Sequence, residues 1–211
     1  MTQRLPRLPP YAPGMRIGLF GGSFDPPHEG HALVSRIALA RLRLDRLWWV
    51  VSPGNPLKDP RALPSINERI AAAKKILRDP RVAFTGVEAD INARYTCDTI
   101  DYLHAHCPGV RFVWIMGADN LLQFHRWRRW REIALTTPIA VIDRPGATLK
   151  AANAKASVYF KNARLPESDA ALLAATSPPA IAYLHGPRLE RSSTELRERY
   201  LRSNSGSIQR L

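Results

Sequence analysis

Cysteine is scarce in this 211-residue chain, which has only Cys97 and Cys107. Two thiols in a chain of this length do not make a disulfide framework, and a reducing cytoplasm is the expected setting. Acidic residues are also few: 18 Asp and Glu stand against 31 Lys and Arg, leaving a formal charge of +13. An excess of that sign suits an anionic partner, whether nucleic acid, an anionic membrane surface or small polyphosphates. No uninterrupted apolar run is long enough to span a bilayer. The first fourteen residues, MTQRLPRLPPYAPG, are basic and proline-rich without an apolar centre. They do not read as a secretory signal and are expected to form a flexible extension. Internal repeats, low-complexity tracts and dense carboxylate clusters are all missing.

What is present is an ordinary globular composition, 45% apolar, in a length that suits one domain with a sizeable core. The expected limits are an extension over 1–14, one domain over 15–202 and a tail over 203–211. Apolar runs predict strands at 15–20 (MRIGLF), 46–52, 81–85, 110–116 (VRFVWIM), 138–143 and 179–184. Helices are expected from about His31 to Arg43, from a Ser65 cap to Leu77, from Thr96 to His106, after Gly117, and over 191–202. In the first of these, Leu33, Ile37, Ala40 and Leu44 have helical spacing. The Pro- and Gly-rich segment 53–64 is a loop, and the Ala-rich stretch 145–179 reads as partly helical. The basic run 126–131 (RWRRWR) reads as a solvated helix face with Trp127 and Trp130 one turn apart. Alternating strands and helices predict an α/β, Rossmann-like, doubly wound parallel sheet. In such folds ligands bind beyond the carboxyl ends of the strands.

The loop after the first strand, GGSFDPPHEGH over 21–31, carries most of the chemistry. Gly21 and Gly22 permit positive φ and close approach of a phosphate. His28 and His31, three apart at a helix start, fall on one face, where their Nε2–H groups can reach phosphate oxygens. Spacing alone leaves a structural glycine turn or a metal-binding histidine pair open. No neighbouring Cys, His or acidic cluster completes a zinc site, and the loop has neither a P-loop lysine nor the GxGxxG pattern. At the other end, Ser192 and Glu195 in RSSTELR form an S-x-x-E capping box, which a surface helix alone would explain.

GGSFDPPHEGH closely resembles the GG(S/T)FDPxHxGH signature of nucleotidyltransferases of the nicotinate mononucleotide adenylyltransferase type. The resemblance implies that Gly21, Gly22, Ser23 and Phe24 line the ATP site, and that His28 and His31 bind its phosphates and stabilise the transition state. RSSTELR is similar to the family's ISSTxIR motif, implying phosphate contacts from Ser193 and Thr194 and a charged grip from Arg197, although Arg191 replaces the usual Ile. Gly117-Ala118-Asp119 resembles the family's G-x-D, in which the Asp approaches the ATP ribose. On the acceptor side, Asn55, Lys58 and Arg144 would face the mononucleotide phosphate. Arg94-Tyr95-Thr96 followed by Asp98-Thr99 resembles SYTxxTL, whose backbone meets the pyridine carboxylate. Thr96 would also serve as a helix cap. Trp127 would stack on the pyridine ring, although a lone helical Trp is more often core.

The implied reaction is adenylyl transfer from ATP to nicotinate mononucleotide in NAD synthesis, with Mg²⁺ carried by ATP and no dedicated metal site. Expected partners are these two nucleotides, with no nucleic acid and no membrane; a homo-oligomer is compatible with the sequence. Rival acceptors are nicotinamide mononucleotide and phosphopantetheine, and Tyr95, Thr96 and Trp127 favour a pyridine. A rival of another class is a non-catalytic nucleic-acid-binding protein on the same fold, against which intact His28, His31 and Arg197 speak.

Overall fold

The computed structural model describes residues 6–54, 63–143, 151 and 153–186. Among the described residues seven strands form one sheet: β1 (Arg16–Gly22), β2 (Arg46–Val51), β3 (Val82–Thr85), β4 (Arg111–Gly117), β5 (Ile139–Ile142), β6 (Arg164–Leu165) and β7 (Ile181–Leu184). Their order is β3-β2-β1-β4-β5-β7-β6, and each neighbouring pair is parallel. The helices are α1 (Glu29–Arg41), α2 (Ile66–Ile76), α3 (Val87–Asp90), α4 (Thr96–His106), α5 (Ala118–Phe124), α6 (Trp130–Thr136) and α7 (Lys155–Tyr159), with a 3-10 stretch at Glu167–Ala175.

Both faces of the sheet are buried, so its strands read as continuous apolar runs. Their side chains nevertheless alternate. Trp48, Val50, Phe112, Trp114 and Met116 pack on one face with α4, α5 and α6. Leu47, Trp49, Val51, Val113 and Ile115 pack on the other with α1, α2 and the 3-10 stretch. The expected doubly wound α/β architecture is the one observed. Strand order reverses between β1 and β4, and the crevice beyond such a switch point is where ligands bind in open parallel sheets. The loops that follow β1 and β4 both open there.

Several local expectations change. The inward face of α1 is His31, Ala32, Val34, Ser35, Ala38 and Leu39, whereas Leu33 and Ile37 are only partly buried and Ala40 is exposed. Of the four residues at helical spacing only Leu44 is buried, and the polar His31 and Ser35 turn inward through their hydrogen bonds. The run 126–131 is not one helical face: Arg129 adopts φ 51°, α6 begins only at Trp130, and that Trp is buried. Within the Ala-rich stretch, α7 and the 3-10 segment are joined by the two-residue edge strand β6. Of the extension, residues 6–14 lie against the domain. Leu8 packs on the core, the Tyr11 hydroxyl donates to the His106 carbonyl at 2.9 Å, and Gly14 N–H donates to Gly109 O at 2.7 Å. No helix among the described residues is long and apolar enough to cross a membrane. The expected helix over 191–202 lies outside the described residues.

Candidate active site at the strand switch point

β1 runs two residues further than its apolar run suggests, through Gly21 and Gly22, which pair with Val50 and Val51. Neither glycine has positive φ. Gly21 is small for a packing reason, since a Cβ there would lie 2.6 Å from the ring of Trp114. The left-handed residue of the loop is Phe24, at φ 47°. A bulky residue with positive φ is uncommon and must be held by its surroundings. Here the Phe24 ring stacks on Trp49 with centroids 4.4 Å apart and meets Phe20 and His31 edge-on at 5.4 and 5.1 Å. Each such aromatic pair contributes roughly 0.5–1.5 kcal/mol beyond area burial. Phe24 is buried, so its side chain serves to support His31 and only its backbone could face a ligand.

His28 is the N-cap of α1, and its Nδ1 accepts from Gly30 N–H at 3.0 Å. His31, one turn on, accepts the His28 N–H on its own Nδ1 at 3.2 Å. The two imidazoles thus play the parts that Ser and Glu play in an ordinary capping box. Because both Nδ1 atoms accept, the proton of each neutral ring sits on Nε2. The ring centroids are 3.8 Å apart, and the residues are only 4% and 8% exposed. The site thus has two fixed Nε2–H donors at a helix N-terminus, whose partial positive charge also favours an anion. Ser35 secures the helix from behind, donating to His31 O at 2.9 Å and accepting the Trp49 indole N–H at 2.8 Å.

Beside this loop, β4 ends at Gly117, which is buried, and Asp119 is exposed in the first turn of α5. The residues expected on the acceptor side include Tyr95 and Thr96 at the start of α4. Tyr95, rather than Thr96, is the N-cap of α4; it caps through its backbone, with its carbonyl accepting from Asp98 and Thr99. Thr96 is the first helical residue, so its N–H is one of the donors a helix start leaves over. Trp127 is half-buried and packs edge-on against Phe124 at 5.4 Å and Trp114 at 6.3 Å. Trp114 is therefore the common wall between Gly21 and Trp127. The Arg128 guanidinium lies 4.9 Å above the Tyr95 ring at the start of α4, and an Arg129–Asp101 ion pair at 2.7 Å joins the same segment to the middle of that helix. Gly21, Gly22, Ser23, Phe24, His28, His31, Gly117, Asp119, Tyr95, Thr96 and Trp127 thus gather around one end of the sheet. Asn55, Lys58, Arg144, Ser193, Thr194 and Arg197 lie outside the described residues.

Sequence reasoning missed two buried charges here. Arg69, on α2, is 3% exposed and reaches three carbonyls. Glu88, on α3, is 8% exposed and accepts the Thr99 hydroxyl at 3.1 Å. Burial pushes the Glu88 carboxyl up to about 7, partly opposed by the Thr99 hydrogen bond. Neither carries a local pattern, because a charged residue on a helix is by default a surface residue.

The sequence resemblance implies a divalent metal carried with ATP. Among the described residues no three His, Cys, Asp or Glu side chains gather as a metal cage.

The family model described as cytidylyltransferase-like matches residues 19–199. A relative from Methylorubrum extorquens is 58% identical over 185 residues, covering 88% of this chain and 100% of its own. One from Brucella suis is 54% identical, covering 87% and 95% respectively, and one from Mesorhizobium japonicum is 54% identical over 90% and 98%. All three carry the name probable nicotinate-nucleotide adenylyltransferase. The fold is shared with the Plasmodium falciparum nicotinic acid mononucleotide adenylyltransferase, solved in complexes with APC and with NaAD. That likeness has a TM-score of 0.62 at 18% identity, over 87% of this chain and 83% of the other. A match over most of the length, relatives more than half identical, and an HxGH pair capping the helix after β1 lead to one assignment: the chain belongs to the cytidylyltransferase-like family and, within it, to the nicotinate-nucleotide adenylyltransferases.

Proposed function

We propose that this chain transfers the adenylyl group of ATP to nicotinate mononucleotide, releasing pyrophosphate and forming nicotinate adenine dinucleotide, a step of NAD synthesis. The observation that carries the reading is the reciprocal His28–His31 cap, which fixes two Nε2–H donors at the switch-point crevice. Relatives of that name, aligned over nearly their whole length, support it.

An oxygen of the mononucleotide phosphate attacks the α-phosphorus of ATP, and the bond from that phosphorus to the bridging oxygen breaks. The attacking group is already an anion, so no general base and no covalent intermediate are required. The protein positions the two nucleotides in line and neutralises charge as it gathers on pyrophosphate. His28 and His31 donate to the phosphate oxygens, aided by the backbone of Gly21, Gly22, Ser23 and Phe24. Asp119, beyond Gly117, takes the ribose. The N–H groups at Tyr95 and Thr96 receive the pyridine carboxylate, and Trp127 stacks on its ring. The family motifs assign Asn55, Lys58 and Arg144 to the acceptor phosphate and Ser193, Thr194 and Arg197 to the triphosphate. Mg²⁺ brought by ATP would add Lewis-acid charge to those oxygens. We place the reaction in the cytoplasm, where the buried free thiols of Cys97 and Cys107 stay reduced.

The test is pyrophosphate release from folded protein with Mg²⁺, ATP and a panel of acceptors. Turnover with nicotinate mononucleotide is expected. No turnover with any pyridine mononucleotide would overturn the reading.

A further inference from the structure

Arg69 is an expensive residue to have where it is. It stands in the first turns of α2, where the helix dipole disfavours a cation. It is almost fully buried, and three backbone carbonyls accept its hydrogen bonds. Burial lowers its guanidinium pKa, with the nearby Asp25 carboxylate acting in the opposite direction. The helix start needs no help from it, because Ser65 and Glu68 already cap it reciprocally: Ser65 N–H donates to Glu68 Oε2 at 2.8 Å and Glu68 N–H to Ser65 Oγ at 3.2 Å. A stability argument would place an apolar residue here.

The partners say what the cost obtains. Nε donates to Pro64 O at 2.9 Å, while Nη1 donates to Ser23 O at 2.6 Å and to Ser52 O at 2.8 Å. Ser23 lies in the turn between the two glycines and the left-handed Phe24. Ser52 follows the last residue of β2, and its own N–H donates to Gly22 O at 3.0 Å. One planar guanidinium thus joins three backbone segments: the β1–α1 loop, the end of β2 and the entry to α2. Lysine, with a single ammonium on a flexible stem, cannot hold that fork.

We propose that Arg69 is a positioning residue for adenylyl transfer, clamping the backbone of the Gly21–Phe24 turn to the end of β2. The clamp keeps the loop that aims His28 and His31 from shifting when the triphosphate arrives. This inference rests on the adenylyl-transfer reading. It goes beyond that reading in making the rate depend on a side chain that touches neither nucleotide.

The experiment uses the full chain with Arg69→Lys and Arg69→Ala. Thermal unfolding, steady-state kinetics at 25 °C and amide hydrogen exchange are measured on each. A loop displaced by about an ångström costs on the order of 10²-fold in rate. The expected result is a loss of that order in kcat for both variants, with a much smaller change in KM for nicotinate mononucleotide. Faster exchange confined to the β1–α1 loop and the end of β2 should accompany it. Added methylguanidinium should restore part of kcat to Arg69→Ala and nothing to Arg69→Lys. If Arg69→Ala does not fold, Arg69→Lys decides alone by its kcat and exchange pattern. Near-normal kcat in a folded variant, with only a lower Tm, would overturn the proposal and leave Arg69 a structural residue. The unmodified protein is assayed first. Its failure to release pyrophosphate counts against the proposed function, and loop-confined exchange in Arg69→Lys then decides the clamp by itself.

Discussion

The two halves of the site are built differently. On the β1–α1 side the functional groups are buried and held on several sides: His31 by the His28 cap, Phe24 and Ser35, and Phe24 by Trp49. On the α4 side Tyr95 and Trp127 are half-exposed, and Arg128 is exposed above the Tyr95 ring. The roles proposed for the two halves account for the difference. Charge moves during adenylyl transfer, and donors aimed at moving charge help only if they need not reorganise. Recognition of a flat ring and its carboxylate is satisfied by an aromatic surface and backbone N–H groups, and both tolerate some adjustment of neighbouring side chains. Substitutions on the first side should therefore be read mainly in kcat, and those on the second mainly in KM.

The comparison is most sharply tested at His31. Removing one preorganised donor to developing charge typically costs roughly 3 kcal/mol, or about 10²–10³ in rate. His31→Ala should lower kcat by that factor while changing the KM for nicotinate mononucleotide far less. His28→Ala should behave alike, since the two rings share one cap. Their melting temperatures should also fall, because each imidazole accepts a backbone N–H at the α1 start, and losing such a cap costs about 0.5–2 kcal/mol. Stopped-flow pyrophosphate release at 25 °C separates the two effects. Near-normal kcat in both variants would reduce the pair to a structural cap and erase the contrast between the halves.

The second prediction places a titration beneath the softer half. Glu88 underlies α4 through Thr99, and its carboxyl titrates near 7 in the folded protein against an ordinary value of 4.5. Between those pH values the native state holds a proton that the unfolded chain has released. Stability contributed by this group is therefore fully present below about pH 4.5 and declines as pH rises to about 7. Above that, the buried carboxylate costs on the order of 3 kcal/mol. Glu88→Gln keeps an acceptor for the Thr99 hydroxyl and removes the charge. At pH 8 it should be more stable than the unmodified protein by up to that amount, with the two converging near pH 5. Urea unfolding at the two pH values checks this, and an equal gap at both would show that Glu88 does not titrate in this range.

Much of this was legible beforehand, and the exceptions share a cause. The runs RIGLF and FVWIM announce β1 and β4 because a strand buried on both faces needs no polar alternation. GGSFDPPHEGH announced its chemistry by resemblance alone; spacing left a metal pair open. Nothing in a local pattern announces that Gly21 makes room for Trp114, nearly a hundred residues on, because that constraint exists only once β1 and β4 are neighbours. The same holds for Arg69, whose carbonyl partners come from two other loops, and for β6, whose two residues are too few to show any period. The inward face of α1 is not legible from apolar spacing alone, because His31 and Ser35 are polar and their bonds to the loop and to Trp49 draw them inside.

The smallest effect concerns which pyridine is accepted. Nicotinate carries a carboxylate where nicotinamide carries an amide. Backbone N–H groups at the start of α4 can donate to both carboxylate oxygens, whereas the amide would turn its NH₂ toward one of them. A buried donor left without a partner costs about 1–3 kcal/mol. The Arg128 guanidinium above Tyr95 favours the same anion, but it is exposed and screened, so its contribution is minor. Trp127 does not sense the difference, since its ring can stack on either pyridine with a gain of roughly 1–3 kcal/mol by analogy with base stacking. The unmodified protein should therefore prefer nicotinate mononucleotide by at least about tenfold in kcat/KM, the lower end of what one unpaired donor implies. Trp127→Ala should raise the KM of both substrates while keeping their ratio within a factor of about three, because additivity holds for groups that do not share a contact. A ratio that collapses in Trp127→Ala would mean that the indole orients the pyridine against the α4 N–H groups, and the softer half would then be as preorganised as the β1–α1 side.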